Sequence, residues 1–281
     1  MNLIEAIVLG IIQGLTEFLP ISSTGHLTVA GKLMGLISTQ SPEHWTAFIA
    51  VIQLGTLCSI LIYFWKDIWN ILGDFFKDNL TERKKYAEQS ENSKMGWLII
   101  IGTIPVVIVG LSLKPIIEGE FTKNLYVIAS SLIVLAIILA VAEKKANFKK
   151  EMKNINVKDS IVIGIAQCFA LIPGSSRSGT TITGGLFMGL TRETAARFSF
   201  LLSIPAVFAS GMLELFESLK YLHGDMTVNL IVSTIVSGIF GYLAIDFLLK
   251  YLRKNTTFLF VYYRIVAGGV ILTLLFTQVI R

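Results

Sequence analysis

A glutamine and a glutamate stand four residues apart in an apolar stretch near the start of the chain. Gln13 and Glu17 fall on one face of a helix, because residues four apart are neighbours on a helix surface. A carboxylate in such a stretch must be paired, protonated or bound to a metal, so Glu17 is a functional candidate. The turn that follows carries Ser22, Ser23, Thr24 and His26. We interpret Glu17, Ser23 and His26 as candidate catalytic residues for acid–base or nucleophilic chemistry. The structural alternatives are a glutamate that only bridges the turn and hydroxyls that only satisfy its backbone.

A second polar turn carries a fixed positive charge. Arg177 stands between Ser176 and Ser178, shortly after Pro173 and Gly174. A guanidinium stays protonated and matches a pair of phosphate oxygens in geometry, and a helix that starts here would add its N-terminal N–H groups. The turn therefore predicts an anion-binding site. The alternative is an ion pair between Arg177 and Glu17 that only joins two parts of the chain, and both can hold in a resting enzyme.

The composition places these turns in a membrane protein. Of the 281 residues, 53% are hydrophobic and 15% are charged, and the mean hydropathy is +0.70. A soluble globular protein carries about 25% charged residues. A soluble enzyme, a nucleic-acid binder and a disordered scaffold are therefore excluded. Cys58 and Cys168 lie in apolar runs, which predicts two buried thiols and no structural disulfide.

Six apolar runs are long enough to span a bilayer, for which about 20 residues are needed. They are residues 46–65, 96–113, 125–142, 197–215, 228–249 and 259–279. Two further stretches, 3–36 and 157–190, are interrupted by the polar turns. Irregular backbone at membrane depth is tolerated only where protein or a wet cavity satisfies it, so both stretches predict re-entrant hairpins of two half-helices. Ordinary kinked helices are the alternative.

The two interrupted stretches resemble each other. A shift of 154 residues superposes 7–36 on 161–190 with eleven identities. A re-entrant hairpin returns to its own side of the membrane, and three spans are an odd number. The second copy must therefore enter the membrane from the opposite face, which predicts an inverted-topology repeat. We therefore expect an all-α integral membrane protein with six transmembrane helices and two re-entrant hairpins, about 3–36 and 161–190. The repeats would be 1–142 and 161–281, joined by a basic linker, 143–160, in one integrated membrane domain.

Positive charge between the spans is distributed unevenly. Seventeen of the 24 Lys and Arg residues fall on one side of the predicted arrangement. The other side receives Lys114, Lys123, Lys220 and Arg281. The positive-inside rule then places the basic loops in the cytoplasm and both termini outside, and the charge needs no nucleic-acid partner. The segment 66–95, which is mixed in charge, predicts a solvated connector. Arg264 is interpreted as a snorkelling residue or an interhelical partner.

Taken together, the motifs resemble those of the undecaprenyl-diphosphate phosphatase family, also called bacitracin-resistance proteins. Gln13 and Glu17 match a Glu/Gln-x-x-x-Glu motif, and residues 173–181 match Pro-Gly-x-Ser-Arg-Ser-x-x-Thr at every fixed position. The turn of residues 20–26, Pro-Ile-Ser-Ser-Thr-Gly-His, belongs to the same set. The resemblance covers essentially the whole chain, although many family members have Glu at the position of Gln13. An amide can coordinate a metal but cannot act as a base, so Glu17 would carry the carboxylate chemistry.

The resemblance implies a multi-pass enzyme of the bacterial plasma membrane that hydrolyses undecaprenyl diphosphate, with Mg²⁺ or Ca²⁺ as cofactor. Its partners would be the polyprenyl diphosphate substrate and membrane lipid, and the oligomeric state stays open. Catalysis would involve Glu17, Ser23, His26 and Arg177, and Gln13 with Glu17 would hold the metal. The substrate would be bound by Ser22, Thr24, Gly174, Ser176, Ser178 and Thr181. Ser23 activated by His26, His26 itself and a metal-bound water are all admissible nucleophiles.

A different class of protein is compatible with the same pattern. Inverted repeats with facing broken hairpins also occur in transporters, and Arg177 and Glu17 could bind a polyprenyl phosphate lipid that is moved rather than cleaved. A cluster of Glu17, Ser23 and His26 favours hydrolysis, because transport needs no nucleophile. A purely structural protein would leave a charged pair at membrane depth without a reason.

Overall fold

The backbone of this protein is helical. A computed structural model describes residues 1–39, 42–113, 115, 124–218 and 225–278. Within these ranges there are twelve α-helices and no β-strand, and a single isolated bridge pairs Lys150 with Leu190. The helices are α1 Leu3–Phe18, α2 Ser23–Leu33, α3 Leu36–Thr39, α4 Pro42–Tyr63, α5 Trp65–Phe76, α6 Glu91–Ser112, α7 Leu125–Lys145, α8 Val157–Cys168, α9 Arg177–Phe187, α10 Arg192–Ser218, α11 Asp225–Leu252 and α12 Phe258–Phe276. Short helical turns lie at Lys77–Thr81, Tyr86–Glu88, Met152–Asn154 and Phe169–Leu171.

Five of these helices are long and apolar enough to cross a membrane. They are α6, α7, α10, α11 and α12, and the bent pair α4 and α5 gives a sixth crossing if it counts as one span. The pair bends by 78° next to Trp65, where the first apolar run of the sequence ends. The described helices therefore agree with the six predicted runs, and the chain is a multi-pass membrane protein.

Both predicted helix breaks are present, and they share one backbone geometry. Ser22 precedes α2 with φ of 77°, and Ser176 precedes α9 with φ of 68°. Each serine hydroxyl caps its helix by accepting from the backbone N–H three residues later, in Gly25 and Gly179 respectively. Left-handed φ is uncommon for a residue with a side chain and marks a turn that the surrounding structure holds in place.

Helices from the two parts of the chain pack against each other closely. Helix α1 lies along α11, and α8 lies along α6. A Cβ atom at Gly164 of α8 would lie 2.2 Å from the carbonyl oxygen of Gly102, and one at Gly10 of α1 would lie 2.6 Å from that of Ser233. Gly10 and Gly164 are 154 residues apart. Only glycine permits such close backbone approach, so these two positions set the distance of α1 and α8 from their neighbours.

The segment after α4, which the sequence predicts as a solvated connector, begins with a helix that packs on its neighbours. Helix α5 packs against the start of α6, where the rings of Phe75 and Trp97 lie 5.2 Å apart. An ion pair of 2.7 Å between Asp67 and Arg197 joins α5 to α10. The mixed charge of the segment concealed a helix with one apolar and one polar face, which mean hydropathy alone does not reveal.

Two further sequence interpretations concern the two cysteines and the cations of the less basic side. Both cysteines are free, but Cys58 is exposed and Cys168 is partly exposed, so the expectation of burial is wrong. An apolar run in a membrane protein faces lipid as readily as it faces other helices, so it does not imply burial within the protein. The four cations expected on the less basic side, Lys114, Lys123, Lys220 and Arg281, lie outside the described residues.

Candidate active site

A cavity of about 440 Å³ brings the two polar turns together. Its polar wall is formed by both turns, with Glu17, Ser23 and Arg177 among the lining side chains. Its apolar walls come from α6, through Val106, Val107 and Leu111, and from α10, through Ala206 and Leu213. The arrangement is that of an amphiphilic ligand site, with charged groups on one wall and mostly apolar side chains on the others.

Glu17 is the centre of the hydrogen-bond network on the polar wall. Its Oε1 accepts from Arg177 Nη2 at 2.8 Å. Its Oε2 accepts from Gln13 Nε2 at 3.0 Å and from Ser23 Oγ at 2.7 Å. The Glu17 side chain is only 6% exposed, and the cationic partner is what makes a carboxylate tolerable at that depth. The predicted partners Gln13, Glu17, Ser23 and Arg177 are therefore in direct contact.

Arg177 retains hydrogen-bonding capacity beyond its ion pair. Its Nη1 is buried and has no hydrogen-bond partner in the part of the chain that the structure describes. The residue lines the cavity, with 15% of its side chain exposed. A guanidinium presents donors in a fixed fork, so Arg177 can keep Glu17 on one nitrogen and bind an anion with the other.

Two helices begin at the cavity. The N-terminal residues of α2 and α9, including Ser23, Thr24 and Arg177, line it, as do the caps Ser22 and Ser176. The first N–H groups of a helix have no intrahelical partner and carry a partial positive charge. Two such ends beside a guanidinium form a site for a group with several negative charges.

Three of the expected substrate-binding residues act on the turn itself in this structure. Ser178 Oγ donates to the Leu19 carbonyl at 3.1 Å, which ties the two turns together. Thr181 Oγ1 donates to the Arg177 carbonyl at 2.8 Å. Gly174 lines the cavity with φ of 84°, and a Cβ there would lie 2.4 Å from the Ile128 carbonyl oxygen. These contacts fix where Arg177 stands.

The hydrogen-bond partners that orient His26 are not those that the sequence suggests. Its Nδ1 lies 2.7 Å from the Ser22 carbonyl oxygen and its Nε2 lies 2.6 Å from the Tyr263 hydroxyl. Since a carbonyl only accepts, Nδ1 carries the proton and the tyrosine donates to Nε2 in the neutral ring. The expected pairing of His26 with Ser23 is therefore not formed, and Glu17 takes that place beside Ser23. His26 is also absent from the described residues that line the cavity.

Arg264 is an interhelical partner, which is the second of the two interpretations of the sequence, but its partners are backbone carbonyls. The snorkelling interpretation is wrong, because the side chain is fully buried. Its guanidinium donates to the backbone carbonyls of Leu132 at 3.2 Å and Ser175 at 2.9 Å. Ser175 lies two residues before Arg177, so Arg264 holds the anion-binding turn from behind. The available signal was a cation in the middle of an apolar span. Tyr263 carried no comparable signal, since tyrosines are common at membrane interfaces.

The residues around Glu17 offer a partial set of ligands for a divalent cation. No group of three or more His, Cys, Asp or Glu side chains suited to a metal occurs among the described residues. Gln13 Oε1 is buried and has no hydrogen-bond partner there, so it is available as an oxygen ligand beside Glu17. One carboxylate and one amide suit an ion that takes its other ligands from water and from a phosphate, as Mg²⁺ does.

Comparison with known proteins agrees with this geometry. Residues 6–270 match the family model described as bacitracin resistance protein BacA. A protein of Syntrophobacter fumaroxidans named undecaprenyl-diphosphatase is 55% identical over 276 residues, which cover 98% of each chain. Proteins of the same name from Chloroherpeton thalassium, at 51% over 98% of this chain and 97% of its own, and Pelodictyon phaeoclathratiforme, at 50% over the full length of both, are also similar. Because the match extends over nearly the entire sequence and includes both polar turns, the chain belongs to the bacitracin resistance protein BacA family.

Proposed function

We propose that this chain hydrolyses undecaprenyl diphosphate to undecaprenyl phosphate and inorganic phosphate, and so recycles a lipid carrier for cell-wall synthesis. Family membership over almost the full length is the observation that carries this conclusion. The cavity supports it independently, because its charged end suits a diphosphate and its apolar walls suit a prenyl chain. The transporter alternative is not favoured, since the similar proteins are named as diphosphatases.

The diphosphate lies at the polar wall and the tail lies between α6 and α10. Arg177 Nη1 and the N-termini of α2 and α9 counter the phosphate charge. A second groove, of about 280 Å³, shares Val107 with the cavity and is lined by Ile104 and Pro205 among others. It supports a continuous apolar path outward between α6 and α10, by which a lipid enters laterally from the bilayer.

Ser23 is the nucleophile that the hydrogen bonds favour. Glu17 Oε2 accepts its proton while Oγ attacks the terminal phosphorus, and the bond from that phosphorus to the bridging oxygen breaks, releasing undecaprenyl phosphate. Water then attacks the phosphoserine, loses a proton to solvent, and releases inorganic phosphate as Ser23 recovers its proton from Glu17. His26 holds the Ser22 carbonyl, and with it the first turn of α2, in position.

A divalent cation, Mg²⁺ or Ca²⁺, fits beside Gln13 and Glu17. It would be held by Gln13 Oε1 and a Glu17 oxygen, and it would supply positive charge against the phosphates. Arg177 supplies fixed charge from the opposite turn, so the phosphate charge is countered from both halves of the chain.

The arrangement in the membrane is part of the same proposal. The shared geometry of the Ser22 and Ser176 turns, and the reciprocal packing of α1 on α11 and α8 on α6, support an inverted repeat of 1–142 and 161–281 with two re-entrant hairpins. The cavity is lined by the last turns of α6 and mainly by the second half of α10, away from the basic segment before α6 and from Arg192 and Arg197 at the start of α10. With basic loops in the cytoplasm, both termini lie outside a bacterial plasma membrane, and the phosphates are reached from the outer face.

Phosphate release from a long-chain polyprenyl diphosphate by purified protein in detergent tests the activity. We expect release that depends on Mg²⁺ or Ca²⁺, stops with a chelator, and is abolished in Arg177→Ala. Gln13→Glu should retain turnover, because a carboxylate oxygen replaces the amide oxygen at the cation. Folded protein that released no more phosphate than Arg177→Ala would refute the phosphatase, and a lipid-flipping assay would follow.

Replacement of Ser23 tests the nucleophile separately. Ser23→Ala should lower turnover at least about a thousandfold, because no oxygen remains to form the covalent intermediate. Wild-type protein quenched within milliseconds after mixing with substrate labelled in the terminal phosphate should carry label on Ser23. Ser112→Ala, which removes an exposed hydroxyl at the end of α6, serves as the control. Normal turnover in Ser23→Ala would leave His26 or water as the nucleophile.

A further inference from the structure

A second glutamine faces the cavity from the other hairpin. Gln167 lies on α8, 154 residues after Gln13, and lines the cavity together with Glu17 and Arg177. Its side chain is 1% exposed, and its Oε1 has no hydrogen-bond partner within the described ranges. No step of the proposed hydrolysis uses the Gln167 amide.

The two glutamines differ in what surrounds them. Gln13 donates to Glu17, the residue four positions later on the same helix face. The residue four positions after Gln167 is Leu171, which also lines the cavity. The second hairpin therefore has a glutamine that corresponds to Gln13 but no carboxylate that corresponds to Glu17. The amide of Gln167 lies beside the cavity without such a partner.

The position of Gln167 is fixed by its backbone. Gly164, one turn earlier on α8, packs against the backbone of Gly102 on α6, and this contact fixes how closely α8 lies to the α6 wall of the cavity. Burial of an amide oxygen without a donor is unfavourable unless a ligand or water supplies one. An oxygen that only accepts does not bind an ionised phosphate, and without a carboxylate four residues later on α8 it is a weak ligand for a cation, so the ligand it fits is an O–H group.

We propose that Gln167 accepts a hydrogen bond from the water molecule that hydrolyses the phosphorylated enzyme, and so orients that water toward the phosphorus. The proposal rests on the proposed phosphatase function. A glutamine amide that orients attacking water is known chemistry for phosphoryl transfer. The water donates one proton to Oε1 as a hydrogen bond and releases the other to solvent, and the amide is unchanged at the end of the cycle.

The test compares kcat and KM in two variants of purified protein. Gln167→Leu should lower kcat roughly 10- to 100-fold with KM within about threefold of wild type, because water loses its acceptor while the phosphate site is intact. Gln167→Glu keeps an acceptor of the same length and adds negative charge. It should keep kcat within about threefold and raise KM roughly tenfold, since it repels the substrate.

Controls separate this proposal from folding and from the function itself. Ser233→Ala removes a buried hydroxyl on α11 that has no hydrogen-bond partner among the described residues and lies outside the cavity lining, and it should leave both constants unchanged. An unchanged kcat in folded Gln167→Leu, or an unchanged KM in Gln167→Glu, would overturn the role of Gln167 while wild-type activity stands. Should Gln167→Leu not fold, Gln167→Glu decides alone. Absence of phosphate release by wild-type protein would instead refute the proposed function.

Discussion

Arg177→Lys is expected to lower the turnover number of the enzyme at least about a hundredfold, although the positive charge is kept. The guanidinium holds Glu17 with Nη2 and leaves Nη1 for a phosphate oxygen. An ammonium is a single point charge on a flexible stem and cannot present two donors in that fixed geometry. Loss of one preorganised donor to a developing charge costs about 10²- to 10³-fold in rate. Phosphate release at saturating substrate measures the effect.

The matched control for this variant is Arg253→Lys. Arg253 also forms a 2.8 Å ion pair with a glutamate, Glu193, but on an exposed surface. Such pairs contribute little to stability, so turnover and melting temperature should stay at wild-type values. If Arg177→Lys were as active as Arg253→Lys, the two-donor role of Arg177 would be excluded.

Gly164→Val is expected to destabilise the whole protein rather than the site alone. A side chain at this position meets the Gly102 backbone at 2.2 Å, and backbone cannot move aside as a flexible side chain does. Overpacking typically costs about 1–3 kcal/mol, and a clash with backbone lies at the upper end or beyond. For a chain of this size we expect a fall in melting temperature of roughly 10 °C, measured by intrinsic fluorescence in detergent.

Gly269→Ala provides the comparison for that variant. Gly269 lies in α12, a spanning helix, and a Cβ there has no neighbour within 4 Å among the described residues. Because alanine favours helix more than glycine does, the melting temperature of the Gly269→Ala protein should stay level or rise slightly. A Gly164→Val protein as stable as Gly269→Ala would show that α6 and α8 do not need their close contact.

The sequence predicted the features that depend on local pattern. The six apolar runs correspond to described helices because spanning length and apolarity are properties of a continuous segment. Both helix breaks were visible as Pro, Gly and hydroxyl clusters. The contact between Glu17 and Arg177 was one of the alternatives that the sequence offered, since two opposite charges in apolar surroundings rarely stay apart.

Contacts that depend on distant helices could not be predicted. His26 meets Tyr263 across 237 positions, and no local pattern couples them. Among the described residues, the Arg264 side chain donates to backbone carbonyls and to no side chain, and since every residue has a carbonyl, the sequence cannot distinguish these partners. Whether Ser23 contacts Glu17 or His26 depends on how α2 is rotated about its axis. Glu17 precedes Ser23 in the sequence and His26 follows it, so the sequence alone does not decide between them.

The acid and the cation of this site occupy positions that do not correspond between the two halves. Glu17 aligns with Leu171, and Arg177 aligns with Ser23. A dimer of two identical half-length subunits could form the contact between Glu17 and Arg177 only if every subunit carried both the glutamate and the arginine. Such a dimer would then hold a second glutamate and a second arginine that this contact does not use. The contact takes its acid from the first half of the chain and its cation from the second, so neither half is expected to release phosphate when expressed alone.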